Sequence, residues 1–148
     1  MEALYDKDFL KWTHEQAELL RAGKLTELDA LHLAEEVESM GKNDQRALRA
    51  TVRNILVHLL LLGFSRSTEP RPHWREEIVT FRADLLDLLE DSPSLQAHVQ
   101  AAMEKGWEQA RKIAEARLAE YGDPADWLPV RCPYTWEQIK DAAFFPGR

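Results

Sequence analysis

The stretch RALRATVRNILVHLLLL, residues 46–62, decides the fold of this chain. Its apolar side chains recur at the helical interval of three or four residues, and its second half places further leucines between them. A helix that is apolar on more than one face has to be buried on more than one face. We therefore predict that residues 46–62 form the buried central rod of an all-α protein.

The same interval continues upstream of this rod through Leu33, Val37 and Met40. A single helix from Leu28 to Leu62 would be about 52 Å long, whereas a compact domain of this size is only about 38 Å across. Either the helix breaks or it projects and packs against a partner. Gly41 is a good helix stop, and Asn43, two residues later, is a good cap for a new helix, so we predict a break or kink there.

Three further helical patterns surround the rod. The first begins at Asp6, a good N-cap, and ends before Gly23. After a proline-rich linker at residues 65–72, the next runs from about His73 to Glu90. A third helix is predicted to begin at Ser92-Pro93 and to end at Gly122. The residues at helical spacing along its packing face are mostly small, which allows a neighbouring helix to approach closely.

The tail after Gly122 is rich in proline and aromatic residues. Thr135-Trp136-Glu137-Gln138 is a capping box that predicts a short helix ending at Phe144-Phe145-Pro146. Aromatic side chains are costly to leave in water, so we expect the tail to fold back over the bundle or over a neighbouring subunit. The chain as a whole is predicted to be a helical bundle of about five main helices in one domain, residues 1–148.

Composition limits the function classes. The single cysteine, Cys132, excludes an internal disulfide and a cysteine-based zinc cluster. A formal net charge of −7 disfavours a general nucleic-acid binder. No apolar run is long enough to span a bilayer, and the N-terminus lacks the basic leader of a signal peptide. We expect a cytoplasmic protein with no cofactor and no membrane partner.

Several phrases resemble a bacterial family known as domain of unknown function twenty-nine. They include LYDKDF at residues 4–9, LHLAEEVESMG at 31–41, HLL at 58–60, SPSL at 92–95 and CPYT at 132–135. They occur in order from Leu4 to Pro146, which is nearly the whole chain. The resemblance implies an all-helical fold and assigns no activity.

One motif suggests chemistry. Residues Arg53 to His58, RNILVH, resemble the Arg-polar-x-x-x-His motif of HEPN-type ribonucleases, in which the arginine and histidine of two subunits face one cleft. Such a pair would act on a phosphodiester by positioning a 2′-hydroxyl and stabilising charge. Arg53 and His58 are therefore candidate catalytic residues. The alternative is that His58 is a core histidine with a satisfied hydrogen bond.

Basic side chains near this motif are a candidate nucleic-acid contact. Lys42, Arg46, Arg49 and Arg53 form a stripe at helical spacing. The stripe can equally pair with an acidic helix of the same chain. A second basic group, Arg66, Arg71 and Arg75, lies around the linker and is a candidate anion site at the start of the following helix, or simply part of a solvated loop.

A metal site is the third possibility. His32 and Glu36 are four residues apart and share a helix face, so they are candidate ligands, with His58 as a third. A di-iron bundle needs Glu-x-x-His on two helices, and the chain has only Asp29-x-x-His32. The alternative is a solvated acidic face formed with Glu35 and Glu38.

The leading interpretation is a non-enzymatic helical protein that acts through protein–protein contact, as a homodimer or larger assembly. It is based on the lack of a strong catalytic motif, the over-long helix and the aromatic tail, both of which need partner surface. The ribonuclease or other phosphate-directed enzyme and the metal-binding bundle remain alternatives.

Overall fold

The computed structural model describes residues 3–147. They form six α-helices and three short 3₁₀ helices, with no strand in this range. The helices are α1 (Leu4–Lys7), α2 (Phe9–Arg21), α3 (Ala30–Phe64), α4 (Arg71–Asp91), α5 (Val99–Glu120) and α6 (Trp136–Lys140). The predicted all-α fold class is confirmed. Four of the helices are long, rather than five, because the predicted break in the second pattern is absent.

The chain forms two helices, α1 and α2, where one helix was predicted. The predicted start at Asp6 is wrong, because α1 begins at Leu4. The chain leaves the helical conformation at Asp8, where φ is −148° and ψ is 85°. The Asp8 side chain then accepts a hydrogen bond from the backbone N–H of Lys11 at 3.1 Å, which caps α2. The predicted stop is confirmed, since Gly23 follows α2 with φ of 71°, a conformation that favours glycine.

The predicted break at Gly41 is also wrong. Helix α3 runs without interruption for 35 residues, and Gly41 is not among the glycines with positive φ. The Asn43 side chain accepts a hydrogen bond from Nη1 of Arg46 at 3.2 Å instead of capping a new helix. A glycine inside a helix costs only about 1 kcal/mol, whereas a break would require a second costly nucleation. Propagation of the helix therefore overrides the local stop signal.

The chain divides into two compact units, residues 1–42 and 43–148. The boundary falls inside α3, between Lys42 and Asn43. The single domain predicted for residues 1–148 stays a prediction.

The second unit contains the core. Residues 55–62 of α3 are buried without exception, together with Leu48, Thr51 and Val52. The predicted buried rod is therefore confirmed from Leu48 to Leu62, whereas Arg46 at its predicted start is exposed. Helix α4 packs Trp74, Ile78 and Leu85 into this core. Helix α5 contributes mainly small side chains, and a Cβ placed on its Gly106 would lie 3.4 Å from the backbone nitrogen of Arg53. The backbones of α3 and α5 therefore approach each other closely at Gly106.

The tail folds back over the bundle. The hydroxyl of Tyr134 donates to the carbonyl of Leu59 at 3.1 Å, and Ile139 of α6 is fully buried. The predicted capping box is present, with Thr135 and Gln138 bonding each other's backbone N–H groups. Helix α6 is shorter than predicted and ends at Lys140, because the backbone turns extended at Asp141.

Helix α3 is long and apolar enough to cross a membrane by length and composition alone. However, 56% of its most apolar stretch is buried inside the protein. The core helix of a soluble protein passes the same test, so this is weak support for a membrane span. Cytoplasmic localisation stays a prediction.

Candidate functional site

His58, the candidate catalytic histidine, lies in the core with 8% of its surface exposed. Its Nδ1 is 2.7 Å from the carbonyl oxygen of Asn54, one turn earlier, so Nδ1–H donates to that carbonyl. Its ring centroid is 5.7 Å from that of Phe81 on α4. Burial lowers the pKa of His58, because a charged imidazole is poorly solvated there. This arrangement is that of a neutral core histidine with a satisfied N–H group.

Arg53, the second candidate, faces α5. Its Nη1 donates to Oε1 of Gln109 at 3.1 Å. Its Nε is buried and has no hydrogen-bond partner. Gly106 of α5 lies close to the α3 backbone beside Arg53. The guanidinium is therefore used, at least in part, to join two helices.

Arg53 and His58 point to different neighbours. Five residues along a helix correspond to a rotation of about 140°. Arg53 contacts Gln109 on α5, and His58 contacts Phe81 on α4. Among the described residues, no hydrogen bond or ion pair joins the two side chains. The catalytic role of this pair stays a prediction.

His32, a candidate metal ligand, is bound to a carboxylate in the first unit. Its Nδ1 lies 2.7 Å from Oδ2 of Asp29, and the indole N–H of Trp12 donates to the same oxygen at 3.0 Å. The backbone N–H of Asp29 donates to the side chain of Gln16 at 2.8 Å. The hydrogen bond to Asp29 raises the pKa of His32. Asp29 thus ties the loop before α3 to α2.

Glu36, the second candidate ligand, is occupied by a tyrosine. The hydroxyl of Tyr5 donates to Oε1 of Glu36, and this bond raises the pKa of Tyr5 to about 12. The Tyr5 ring also stacks on the imidazole of His32, with centroids 4.0 Å apart and planes inclined by 12°. The residues that were predicted to bind metal therefore hold α1 against α3.

A metal site has no support in the described part of the chain. Within residues 3–147, no group of three or more histidine, cysteine, aspartate or glutamate side chains is arranged to hold a metal ion. His32 and Glu36 belong to the first unit and His58 to the second. Their joint role as metal ligands stays a prediction.

A family model described as Domain of unknown function DUF29 matches residues 4–145. The chain belongs to the DUF29 family. This match confirms the resemblance found in the ordered phrases of the sequence. No curated protein and no solved structure matches the chain, so the comparison gives a family and no activity.

The predicted basic stripe of this DUF29 protein lies on α3. Arg49 lines a cavity of about 90 Å³ with Gln45, His98 and Lys105. Ligand sites usually have volumes of about 300–1,000 Å³, so this cavity is small. Contact with nucleic acid at Lys42, Arg46, Arg49 and Arg53 stays a prediction.

The linker arginines are held by the protein. Nε of Arg66 lies 3.3 Å from Oδ1 of Asp123, and its Nη2 donates to the carbonyl of Gly122 at 3.1 Å. Nη1 of Arg71 donates to the carbonyl of Leu62 at 2.8 Å, at the end of α3. The guanidinium of Arg75 lies over the ring of Phe145. These contacts secure the linker, and the carboxylate of Asp123 already sits at Arg66, where an anion would have to bind.

The sequence did not reveal Arg82 of α4. This arginine is 8% exposed. Its Nε donates to the carbonyl of Ile139 at 2.8 Å, and its Nη2 donates to the carbonyls of Gln138 at 3.0 Å and Phe144 at 2.8 Å. The one signal in the sequence is its position among the apolar residues of the α4 ladder, between Ile78 and Leu85. The partners are more than fifty residues away and could not be inferred from it.

The first half of α3 contains a run of exposed residues. All ten residues from Val37 to Arg46 are exposed. Val37 is 65% exposed and Met40 is 68% exposed. The apolar side chains of Val37 and Met40, which we call the apolar ladder of α3, are therefore exposed and have no packing partner in the described chain.

Proposed function

We propose that this DUF29 protein is an assembly module that acts through protein–protein contact and associates as a homodimer. The observation that carries the proposal is the uncovered apolar ladder of α3 at Val37 and Met40. These two side chains are three residues apart and lie on one face of the helix. Apolar groups placed together on an exposed helix face gain free energy when a partner removes them from water.

The small number of buried side chains in the first unit supports the same proposal. Among its described residues, only Trp12 and Gln16 are buried. Seven large apolar side chains are exposed there: Phe9, Leu10, Leu20, Leu25, Leu31, Val37 and Met40. A unit of about 40 residues rarely buries enough surface to be stable alone. Extra burial against a partner would make up this deficit.

The continuity of α3 also supports a partner. At 1.5 Å per residue, the ten exposed residues span about 15 Å of helix. Most of the stability of a protein helix comes from packing of its apolar face rather than from intrinsic propensity. Gly41 lies within this segment and lowers its intrinsic helicity further. A second helix packed on the segment would supply the missing contacts.

A second copy of the chain is the proposed partner. Most soluble oligomers are homo-oligomers, and two-fold dimers are the commonest form, in which the same patch meets itself. A helix that presents Val37 and Met40 on one face can pair with its own copy in this way. The contact would be made by apolar groups rather than by opposite charges, since residues 1–42 contain ten acidic and five basic side chains.

Sedimentation over a range of protein and salt concentrations tests this proposal. A homodimer held by apolar contacts between two acidic surfaces should become tighter as salt screens their repulsion. The expected result is a monomer–dimer equilibrium that shifts toward dimer between low and high salt. A compact monomer at every concentration contradicts the proposal, and a dimer that dissociates in high salt would show attraction between opposite charges instead.

The two alternatives have no observation in their favour among the described residues. Arg53 and His58 have separate partners on α5 and α4, and His32 and Glu36 are engaged by Asp29 and Tyr5.

A further inference from the structure

A small cavity lies in the second unit, where the first turns of α5 pass beside α3. Its volume is about 90 Å³. A Cβ placed on Gly106 of α5 would lie 3.4 Å from the backbone nitrogen of Arg53 of α3. One turn earlier on each helix, Arg49 and Ala102 line the cavity together. This cavity, which we call the α3–α5 notch, therefore lies one turn before a close approach of the two helices.

The side chains that line the α3–α5 notch are cationic, neutral polar or small. They belong to Gln45 and Arg49 of α3 and to His98, Ala101, Ala102 and Lys105 at the start of α5. No aspartate or glutamate among residues 3–147 lines it. The whole chain has 26 acidic and 19 basic side chains, so a lining with basic groups and no acid runs against the composition.

Arg49 presents an unpaired guanidinium. The residue is only partly buried, and within the described chain its side chain makes no hydrogen bond and no ion pair. Among residues 3–147, the buried side-chain nitrogens without a partner belong to Arg53, Trp74 and Arg82. The nitrogens of Arg49 are therefore accessible, and an anion can bind them without breaking an internal contact.

Lys105 is the second cation of the notch. Its Nζ lies 4.0 Å from Oε2 of Glu108, and both side chains are mostly exposed. An exposed ion pair at this distance is weak, so it leaves the ammonium able to bind another anion. Arg53, one turn beyond Arg49, adds positive charge, since it donates to the neutral side chain of Gln109 and forms no ion pair in the described chain.

We propose that the α3–α5 notch binds a phosphate group, either as inorganic phosphate or as the terminal group of a small phosphate ester. Guanidinium groups bind phosphate through two parallel hydrogen bonds, and an ammonium acts on it as a point charge. Arg49 and Lys105 supply one group of each kind. Gln45 and His98 are neutral groups that can donate further hydrogen bonds.

The size of the notch fits this ligand. Its volume of about 90 Å³ is about that of three water molecules, at about 30 Å³ each. A single phosphate group fits such a space, whereas a drug-sized molecule needs about 300 Å³ or more. The notch belongs to residues 43–148, and Val37 and Met40 belong to residues 1–42. The proposal therefore does not depend on the proposed homodimer.

The experiment is titration of the purified full-length protein with sodium phosphate, methyl phosphate and sodium acetate at constant ionic strength. Binding is followed by isothermal calorimetry and by amide chemical shifts in nuclear magnetic resonance. We expect both phosphates to saturate a site at residues 45–49 and 98–105. They should bind at least about tenfold more tightly than acetate, since they offer one more charge-assisted hydrogen bond. Tighter binding of inorganic phosphate indicates a site for the free anion, and tighter binding of methyl phosphate indicates a site for an ester.

Three glutamine variants test the two cations. Arg49→Gln should weaken phosphate binding by at least about tenfold, because a charge-assisted hydrogen bond is lost. Lys105→Gln should weaken it by about two- to fivefold, as expected for an exposed charge. Lys112→Gln is the control, since Lys112 is an exposed lysine two turns later on the same face of α5. It should leave phosphate binding unchanged.

Two charge-matched variants locate the site. Ala101→Glu places a carboxylate in the α3–α5 notch and should abolish phosphate binding. Ala116→Glu adds the same charge at another exposed alanine of α5 and should have no effect. Circular dichroism of each variant confirms that the helices remain folded.

The proposal is overturned by any of four results. The first is no saturable binding of either phosphate in the millimolar range. The second is equal affinity for phosphate and acetate, which would show a general attraction of anions. The third is full binding by a folded Ala101→Glu protein, which would place the ligand elsewhere. The fourth is binding of a DNA duplex without binding of either small phosphate, which would assign these basic groups to nucleic acid.

Discussion

Nδ1 of His32 lies 2.7 Å from Oδ2 of Asp29, at the first turn of α3. The same aspartate accepts a hydrogen bond from the backbone N–H of His32 through its other oxygen. Asp29 therefore caps α3 and binds a histidine of that helix at the same time. This pair links the 3₁₀ turn and loop after α2 to the beginning of the long helix.

We predict that the imidazole of His32 titrates above its ordinary pKa of 6.5. The hydrogen bond to Asp29 stabilises the protonated form in the folded state. Its contribution to stability is complete below pH 6.5 and is lost as the pH rises through the folded pKa. Nuclear magnetic resonance titration of the His32 ring measures this directly. In Asp29→Asn the pKa should fall back toward 6.5, and a wild-type value at or below 6.5 would show that the pair does not form.

We predict the opposite effect of pH at His58. Burial lowers the pKa of this histidine, so the unfolded state takes up a proton more readily than the folded state. Stability should therefore fall as the pH drops below 6.5. Urea unfolding at pH 7.5 and pH 5.5 should show a smaller loss for His58→Gln, which cannot titrate, than for wild type. Equal losses in both proteins would mean that His58 is solvated in the folded state.

The continuity of α3 makes a prediction for its glycine. A Cβ at Gly41 meets nothing within 4 Å, and the backbone there is helical. Gly41→Ala should raise the free energy of unfolding by about 0.5–1 kcal/mol. The measurement is urea unfolding followed by circular dichroism.

Gly122→Ala is the matched control for that change. Space around Gly122 is equally open, but its φ is 72°, a conformation that costs an alanine about 1–2 kcal/mol. The control should therefore be destabilised while Gly41→Ala is stabilised. Destabilisation of both proteins would indicate that the chain leaves the helix at Gly41.

The sequence predicted the parts of the fold that depend on local pattern. The rod at residues 46–62 could be predicted because a helix apolar on several faces has nowhere to lie except the core. The cap at Thr135 could be predicted because its chemistry involves residues only three apart. The break predicted at Gly41 was wrong, because the local stop signal there competes with a helix that is already formed on both sides of it.

The candidate site could be predicted only in part. The spacing of Arg53 and His58 is visible in the sequence, but their partners Gln109 and Phe81 lie on other helices. Asp6 and Asp8 have the same capping chemistry, and only the backbone conformation at Asp8 decides between them. Arg82 is buried because a tail more than fifty residues away folds over it. Burial that depends on such distant segments leaves no local signature.

The attachment of the tail gives a further prediction. Tyr134 is buried, and its hydroxyl donates to the carbonyl of Leu59 in the rod. Tyr134→Phe should lower the free energy of unfolding by about 1 kcal/mol, since one buried hydrogen bond is lost. Tyr121→Phe, at a more exposed tyrosine, should change it by less than about 0.5 kcal/mol. The measurement is urea unfolding. Equal changes in the free energy of unfolding for the two variants would contradict a stabilising role of the Tyr134 hydroxyl.

The central claim is that the exposed ladder of α3 is a self-association surface, and sedimentation equilibrium of one double variant tests it most directly. Val37→Glu with Met40→Glu places two charges on the proposed contact, and Val130→Glu places one at a site that is 84% exposed outside α3. We predict a dimer for wild type and for the Val130→Glu control, and a folded monomer for the double variant. A wild-type monomer at high concentration, or a double variant that dimerises as tightly as wild type, would contradict the claim.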